Sequence, residues 1–364
     1  MVWMCEYSPM DSGRKPLQKR GRLKVFLGYA AGVGKTYQML CEAQRLKRDG
    51  QDVVIAYFEP HGRKDTIAQT AGIEMVPRRI VDHRGARFED MDTAAVIARH
   101  PQVAVVDEFA HTNVPGSEYA KRWQDVDAIL NAGIDVLTSL NVQHIESLND
   151  EVWNVTGVRV RETVPDWVVK EASDVVMVDV TPRALQHRLE RGVVYPPEKA
   201  LRALENFFTE QNLTALRELA LRQTAHNLED RIEFRPKSTL KSSERILLWL
   251  TLNPTTAMLI RRGHRVADYL NSTCDAVFVT KDGTLTELPL EQRSAVESAF
   301  NFCRNLRINP QMLAGENPTK AIAGYARDRG ITQIFVARGT VGISDLVNQV
   351  RDRQVTIVSP RGRQ

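Results

Sequence analysis

Short, continuously apolar segments alternate with segments of helical periodicity through the first half of the chain. The apolar segments, which are typical of strands, cover 23–28, 52–58, 103–106, 136–140 and 175–178. The intervening segments with helical spacing cover 35–48, 90–100, 123–132 and 144–155. Strands that are apolar on both faces are typical of a parallel sheet, and their alternation with helices implies right-handed crossovers. We therefore expect an α/β fold with a doubly wound parallel sheet.

The strand pattern stops after Pro182, and helical spacing replaces it. Three segments predict a helical C-terminal cap on the first domain: 183–191, 196–209 and 211–232. Within this cap, we interpret the charged stretch 188–191 as a solvent-exposed face. A second, smaller α/β pattern begins at Arg245. The predicted organisation is a disordered leader over 1–21, a first domain over 22–232, a linker over 233–243 and a second domain over 244–360.

Composition and charge limit the classes of function. With 364 residues, of which 43% are hydrophobic and 26% charged, the chain has the composition of a globular protein of two or three domains. The net charge of +4 is too small to indicate nucleic-acid binding, and no run of 18 apolar residues predicts a membrane span. The four cysteines are scattered, as is typical of reduced thiols. We expect a cytoplasmic protein that does not bind nucleic acid.

The segment Gly28–Thr36 carries the strongest chemical signal. It reads Gly-Tyr-Ala-Ala-Gly-Val-Gly-Lys-Thr and lies between a predicted strand and a predicted helix, as a phosphate-binding loop does. Glycines let backbone N–H groups point inward around phosphates, and the helix N-terminus adds partial positive charge. Lys35 is expected to reach the β- and γ-phosphates of ATP, and the Thr36 hydroxyl to ligate Mg²⁺. The residues predicted to bind the nucleotide here are Gly32, Val33, Gly34, Lys35 and Thr36.

Two acidic residues end another predicted strand. Asp107 and Glu108 follow the apolar segment 103–106 directly. In phosphate-loop folds an Asp in this position holds Mg²⁺, often through water, and a following Glu can polarise the attacking water. We therefore assign Asp107 to the nucleotide and magnesium site and Glu108 to a catalytic role. The sequence assigns no arginine finger, so hydrolysis stays open at this point.

Long strings of residues resemble the KdpD potassium-sensor family. They lie at 59–63, 106–117, 121–125, 141–150, 161–166, 205–208 and 216–222. The resemblance covers residues 22–232 and implies a phosphate-loop sensor domain. The general phosphate-loop pattern has glycine at position 29, where this chain has Tyr29, with Gly28 one place earlier. The loop of the KdpD family has the same displaced glycine, which reconciles this departure with nucleotide binding.

The resemblance also implies what accompanies the sensor domain. Family members carry a second domain similar to universal stress proteins, in keeping with the pattern over 244–360. There, Gly339 and Gly342 match part of the ATP motif of universal stress proteins, whereas Asp352 and Arg353 take the places of its later glycine and Ser/Thr. Longer members continue into membrane helices and a histidine kinase core, and we expect this chain to act without a kinase core of its own.

Three functions follow from these residues and the resemblance. The first is a sensory and regulatory module of potassium-limitation, or osmotic, two-component signalling that binds ATP with Mg²⁺. It would act through contacts with a histidine kinase, a response regulator or a second copy of this chain, and the candidate surface is the helical region 183–232 with the linker to 243. The alternatives are a phosphate-loop ATPase with steady turnover, and a binding scaffold whose nucleotide site is inactive.

Overall fold

A computed structural model describes residues 19–194, 197–232 and 244–359. The predicted linker 233–243 and residues 1–18 of the predicted leader lie outside the described residues. Packing divides the chain into two compact units, one drawn from Met1–Lys24 and Met39–Thr138 and the other from Val25–Gln38 and Ser139–Gln364. Within the described ranges, no helix combines the length and hydropathy that a membrane span requires.

Strands from residues 23 to 178 form a six-stranded sheet and a separate two-stranded hairpin. Their bounds are β1 Leu23–Gly28, β2 Val53–Tyr57, β3 Glu74–Met75, β4 Arg79–His83, β5 Ala86–Asp90, β6 Val103–Val106, β7 Asp135–Asn141 and β8 Asp174–Val178. The order of the sheet is β3-β2-β6-β7-β1-β8. The pairs β2–β3, β2–β6 and β6–β7 are parallel. The predicted parallel-sheet α/β architecture is confirmed.

The hairpin β4–β5 is absent from the predictions made from apolar patterning. Its strands pair antiparallel, with Ile80 opposite Glu89 and Val81 opposite Phe88. The connecting residues Arg84 and Gly85 have φ of 50° and 77°. Positive φ at both central residues is the geometry of a type I′ hairpin turn. The strands are largely exposed and polar, so they lack the continuous apolar signal of the buried strands.

Helices connect and follow these strands, and the last three form the predicted cap. Their bounds are α1 Lys35–Arg48, α2 Lys64–Ala68, α3 Thr93–Arg99, α4 Arg122–Asn131, α5 Asn149–Thr156, α6 Asp166–Lys170, α7 Pro182–Glu190, α8 Pro197–Glu205 and α9 Glu210–Ile232. The segment predicted as one helix over 144–155 contains a 3₁₀ turn at Glu146–Leu148 before α5 begins. The Ser147 N–H donates to the Asp166 carboxylate at 3.0 Å, a contact outside the regular helical pattern.

The residues from 245 onward form a second, five-stranded parallel sheet. Its elements are β9 Arg245–Leu250, α10 Thr256–Tyr269, β10 Thr273–Thr280, α11 Leu290–Asn305, β11 Asn309–Ala314, α12 Pro318–Asp328, β12 Gln333–Ala337, α13 Ile343–Gln349 and β13 Gln354–Val358. The order β11-β10-β9-β12-β13 is parallel throughout. Two apolar clusters contain alternate residues of β9, Leu248 in one and Leu247 in the other. The unpredicted strand β11 is a half-buried edge, where Pro310 is tolerated.

Candidate functional site

The turn between β1 and α1 adopts a backbone that requires glycine. Gly32 and Gly34 have φ of 88° and 109°, conformations that L-residues rarely adopt. A Cβ at Gly28 would lie 2.6 Å from the Val33 side chain, and one at Gly32 would lie 2.5 Å from the Val194 side chain. Conformation and close packing therefore both explain why the predicted phosphate loop is rich in glycine.

Lys35 brings a positive charge into this turn. Its side chain is buried, with 8% of the residue exposed, and Nζ donates to the Ala30 carbonyl at 3.1 Å. It is the first residue of α1, whose first turn contains no acidic residue, so no side-chain charge there offsets the positive end of the helix. A buried ammonium beside a helix N-terminus is an environment that favours an anion. The donor chemistry of the turn therefore fits a phosphate group.

Tyr29 explains the departure from the usual phosphate-loop pattern. The residue is fully buried, and its hydroxyl donates to the Val180 carbonyl at 3.0 Å, two residues before α7 begins. Burial is the main cause that raises the pKa of Tyr29 to about 12, so the phenol is a neutral donor at physiological pH. The side chain at position 29 thus anchors the entrance of the loop to the cap.

Arg188 is a residue of this site that sequence reasoning missed. Its Nη1 donates to the carbonyls of Gly32 and Val33 at 3.1 and 3.2 Å. The interpretation of 188–191 as a solvent-exposed face is therefore wrong for half-buried Arg188, although Arg191 is exposed. Helical spacing could have indicated that Arg188 faces inward. Residues three apart lie on the same face of a helix, and Leu185, three residues before Arg188 on α7, is buried.

Asp107 and Glu108, the predicted acidic residues, belong to the other compact unit. Asp107 directly follows β6, is 1% exposed, and its N–H donates to the Tyr57 carbonyl at 3.0 Å. Glu108 has a φ of 56°, and its Oε1 lies 3.2 Å from Nε2 of His61. The hydrogen bond to Glu108 is the main cause that raises the pKa of His61, against a smaller opposing effect of burial. The structure thus joins the predicted catalytic carboxylate to a histidine.

Part of the strings at 106–117 and 121–125, on which the family resemblance rests, takes part in a buried network of charged side chains in this unit. The Arg122 side chain is fully buried, with Nη2 2.6 Å from Asp90 Oδ1 and its guanidinium 3.9 Å from the centre of the Tyr57 ring. The Thr93 hydroxyl donates to Asp125 at 2.7 Å. Burial raises the pKa of the Asp125 carboxyl, despite hydrogen bonds that favour its charged form. These contacts give the strings a structural role, since removing one partner of a buried pair is strongly destabilising.

Within the second unit, a cavity of about 530 Å³ opens at the turn that follows β9. Its lining includes Asn253, Thr319, Gly339 and Gly342. The strand order reverses direction between β9 and β12, and such switch points are where open α/β sheets bind ligands. A Cβ at Gly342, where φ is 87°, would lie 2.6 Å from the Thr319 side chain. Packing and backbone conformation therefore both require glycine at Gly342, whereas at Gly339 a Cβ would meet nothing within 4 Å and the φ of 84° alone favours glycine.

Comparison with known proteins gives a consistent result. A family model described as the KdpD osmosensitive K⁺ channel His kinase sensor domain matches residues 19–228. A KdpD sensor relative from Synechocystis is 44% identical over 337 residues, which cover 92% of this chain and 90% of the relative. The sensor protein KdpD of Escherichia coli K12 is 43% identical over 324 residues, but the match covers only 36% of that protein. This chain therefore corresponds to about a third of the longer relative.

Solved structures match part of this chain with low structural similarity. A universal stress protein from Archaeoglobus fulgidus matches with a TM-score of 0.27 and 13% identity, over 32% of this chain and 93% of that structure. A universal stress family protein from Burkholderia pseudomallei matches with a TM-score of 0.26 and 16% identity, over 33% of this chain and 98% of that structure.

Proposed function

The chain belongs to the KdpD sensor-domain family, and we propose that it is an ATP-binding regulatory module of potassium-limitation, or osmotic, two-component signalling. The observation that carries this proposal is the loop Gly28–Thr36, with a buried lysine at the start of a helix and two glycines at positive φ. Backbone N–H groups, a helix N-terminus and an ammonium group together favour the binding of a polyphosphate.

In this proposal the chain supplies part of a magnesium shell. The Thr36 hydroxyl and the Asp107 carboxylate would hold Mg²⁺, which commonly binds proteins through one or two side chains together with phosphate oxygens and waters. Across the described ranges, no group of three or more His, Cys, Asp or Glu side chains is arranged to hold a metal without such help. Binding of the metal is therefore expected to depend on the nucleotide.

Calorimetric titration with Mg²⁺-ATP tests the assignment of the loop. Lys35→Ala is expected to weaken ATP binding at least about tenfold, because it removes a charge-assisted contact worth about 1.5–3 kcal/mol. Lys47→Ala is the matched control, since it removes the same charge from the exposed last turn of α1. Equal affinity in the wild type and in Lys35→Ala would contradict the proposed site.

The same titration with and without Mg²⁺ tests the role of Asp107. Asp107→Asn keeps the size of the side chain and removes one negative charge, so the gain in affinity that Mg²⁺ provides is expected to shrink. Metal-free affinity is expected to stay equal or to increase, because a negative charge near the phosphates is gone. ATP binding that does not respond to Mg²⁺ in the wild type would refute this role.

The contact between Glu108 and His61 favours regulation over steady hydrolysis. A carboxylate that is hydrogen-bonded to a histidine with a raised pKa is a weaker base toward water than one without such a partner. Phosphate release measured on purified protein decides between the two functions. Sustained turnover that is abolished by Glu108→Gln would replace our proposal with the ATPase. ATP binding with no turnover supports it, and absence of binding in the wild type supports the inactive scaffold.

We further propose that the module acts in the cytoplasm through protein contacts. The partner that we propose is a histidine kinase, a response regulator or another copy of this chain. Light scattering with and without Mg²⁺-ATP tests the last of these. A mass that stays that of the 41.1 kDa monomer would exclude self-association and direct the search to the other two partners.

A further inference from the structure

We infer that Arg188 and Tyr29 couple the phosphate loop to helix α7, so that nucleotide binding at the loop is transmitted to the cap. The inference rests on the ATP binding proposed above and adds its regulation. It starts from two polar contacts: Arg188 donates to the Gly32 and Val33 carbonyls, and Tyr29 donates to the Val180 carbonyl.

The contacts of Arg188 fix the peptide groups that a phosphate would use. In a trans peptide the carbonyl and the following N–H point in opposite directions. The carbonyls of Gly32 and Val33 therefore share their planes with the N–H groups of Val33 and Gly34, respectively. When the guanidinium holds both oxygens on one side of the loop, both N–H groups are directed to the opposite side. Arg188 is thus a positioning residue for two of the expected phosphate donors.

The loop contacts the cap before, within and after α7. Tyr29 bonds to Val180 ahead of the helix, and Arg188 comes from its last turn. A Cβ at Gly32 would approach Leu185 to 3.1 Å and Val194 to 2.5 Å, so the loop backbone packs directly against both side chains. With this close packing, a change in the loop backbone requires α7 or its flanking residues to adjust.

Two polar contacts link α7 and the residues just before it to α9 and the residues just before that helix. Arg217 Nε donates to Asp179 at 2.8 Å, next to the residue that accepts from Tyr29. Gln186 Nε2 donates to the Phe208 carbonyl at 3.0 Å, just before α9. The cap helices are therefore joined to one another as well as to the loop. This continuity gives nucleotide binding a physical route to the helices that we regard as the partner surface.

Because coupling is reciprocal, it can be measured both as ATP affinity at the loop and as amide hydrogen exchange in α7. Arg188→Gln is expected to lower the affinity for Mg²⁺-ATP by at least about fivefold, the lower end of typical coupling. In the wild type we expect Mg²⁺-ATP to slow amide hydrogen exchange over 182–190, and Arg188→Gln is expected to abolish this change. A residue that merely packs would change exchange in the absence of nucleotide and leave the ATP-induced difference intact. The exchange difference therefore separates coupling from simple stabilisation.

Three further variants complete the experiment. Arg191→Gln removes an equal charge from the exposed end of the same helix, and we expect wild-type affinity and exchange. Arg188→Lys keeps the charge and one donor nitrogen. We expect it to retain part of the ATP affinity and part of the ATP-induced change in exchange. Tyr29→Phe removes only the hydroxyl and provides a second measurement if Arg188→Gln folds poorly. We expect it to reduce the exchange difference.

The outcomes distinguish this inference from the proposed function. If the wild type does not bind ATP, the proposed function fails and the coupling fails with it. If the wild type binds ATP through Lys35, but Arg188→Gln and Tyr29→Phe keep wild-type affinity and the wild-type exchange difference, the coupling alone is overturned. A loss of affinity in Arg191→Gln equal to that in Arg188→Gln would also overturn it, since the effect would then be one of charge alone.

Discussion

The two α/β sheets place very different turns after β1 and β9. In the first, glycines at positive φ surround the buried Lys35, the first residue of α1. In the second, the corresponding first helical residue is Thr256, whose hydroxyl donates to the Thr251 carbonyl at 2.8 Å. Asn253 accepts from the Thr255 N–H at 2.9 Å and from the Thr255 hydroxyl at 2.7 Å. Side chains of the second turn thus form hydrogen bonds within the turn itself.

This difference shows how similar topology leads to different chemistry. A side chain that accepts the N–H groups at a helix start does what a bound anion would otherwise do. In the second turn, Asn253 accepts the N–H of Thr255, the residue directly before α10. The first turn, which has no Ser, Thr, Asp or Asn between Gly28 and Lys35, lacks such an acceptor in its own sequence. We place the proposed nucleotide site in the first turn for this reason.

The largest effect is expected from Gly32→Ala, because this substitution alters the backbone that distinguishes the first turn from the second. The substitution places a Cβ at a φ of 88° and 2.5 Å from Val194. We expect a loss of about 2–4 kcal/mol in the free energy of unfolding, from backbone strain and overpacking together. We also expect ATP affinity to fall at least about tenfold, because the loop must shift. Urea unfolding and calorimetric titration measure the two effects.

Gly50→Ala separates strain from packing in that experiment. Gly50 has a φ of 86°, nearly that of Gly32, but a Cβ there would meet nothing within 4 Å. The control is therefore expected to lose only about 1–2 kcal/mol and to keep its ATP affinity. Should the two variants be equally stable and bind ATP equally, contact between the loop and Val194 would have no energetic importance.

A smaller effect is expected from Asn253→Ala in the second turn. The change removes the acceptor of the Thr255 N–H and the donor to the Arg338 carbonyl. By analogy with capping residues, we expect a loss of about 0.5–2 kcal/mol in stability. ATP affinity is expected to be unchanged, because the turn of β9 lacks a lysine. An affinity that falls together with stability would show that the two turns do not act independently.

Much of this comparison could be predicted from the sequence. Continuous apolar strands and intervening helical spacing predicted the parallel-sheet architecture, because burial on both faces leaves a strong local signal. The strand and helix on either side of the glycine loop were predicted at Leu23–Gly28 and 35–48, as the structure has them. What could not be predicted depends on contacts between residues distant in the sequence. Arg188 lies 156 positions from Gly32, and Tyr29 lies 151 positions from Val180.

The smallest effect concerns the titration of the Tyr29 hydroxyl. The second turn has Thr251, whose hydroxyl does not titrate, for comparison. Burial raises the pKa of Tyr29 to about 12 in the folded chain, against about 10 when unfolded. As pH rises through 10, the unfolded state therefore loses its proton first, and the folded state loses stability. At pH 10.5 this loss amounts to about 0.5–1 kcal/mol in the wild type and is absent from Tyr29→Phe.

At neutral pH, Tyr29→Phe is expected to be less stable by about 1 kcal/mol, the usual worth of a lost hydrogen bond. Urea unfolding of both proteins at pH 7.5 and pH 10.5 should show that difference narrow at the higher pH. Other tyrosines titrate equally in both proteins, so their contributions cancel. Thr251→Val serves as the control in the second turn, because a hydroxyl that does not titrate gives a difference independent of pH. A difference between the wild type and Tyr29→Phe that stays constant would mean that the phenol ionises in the folded chain as readily as in water, contrary to its burial against the cap.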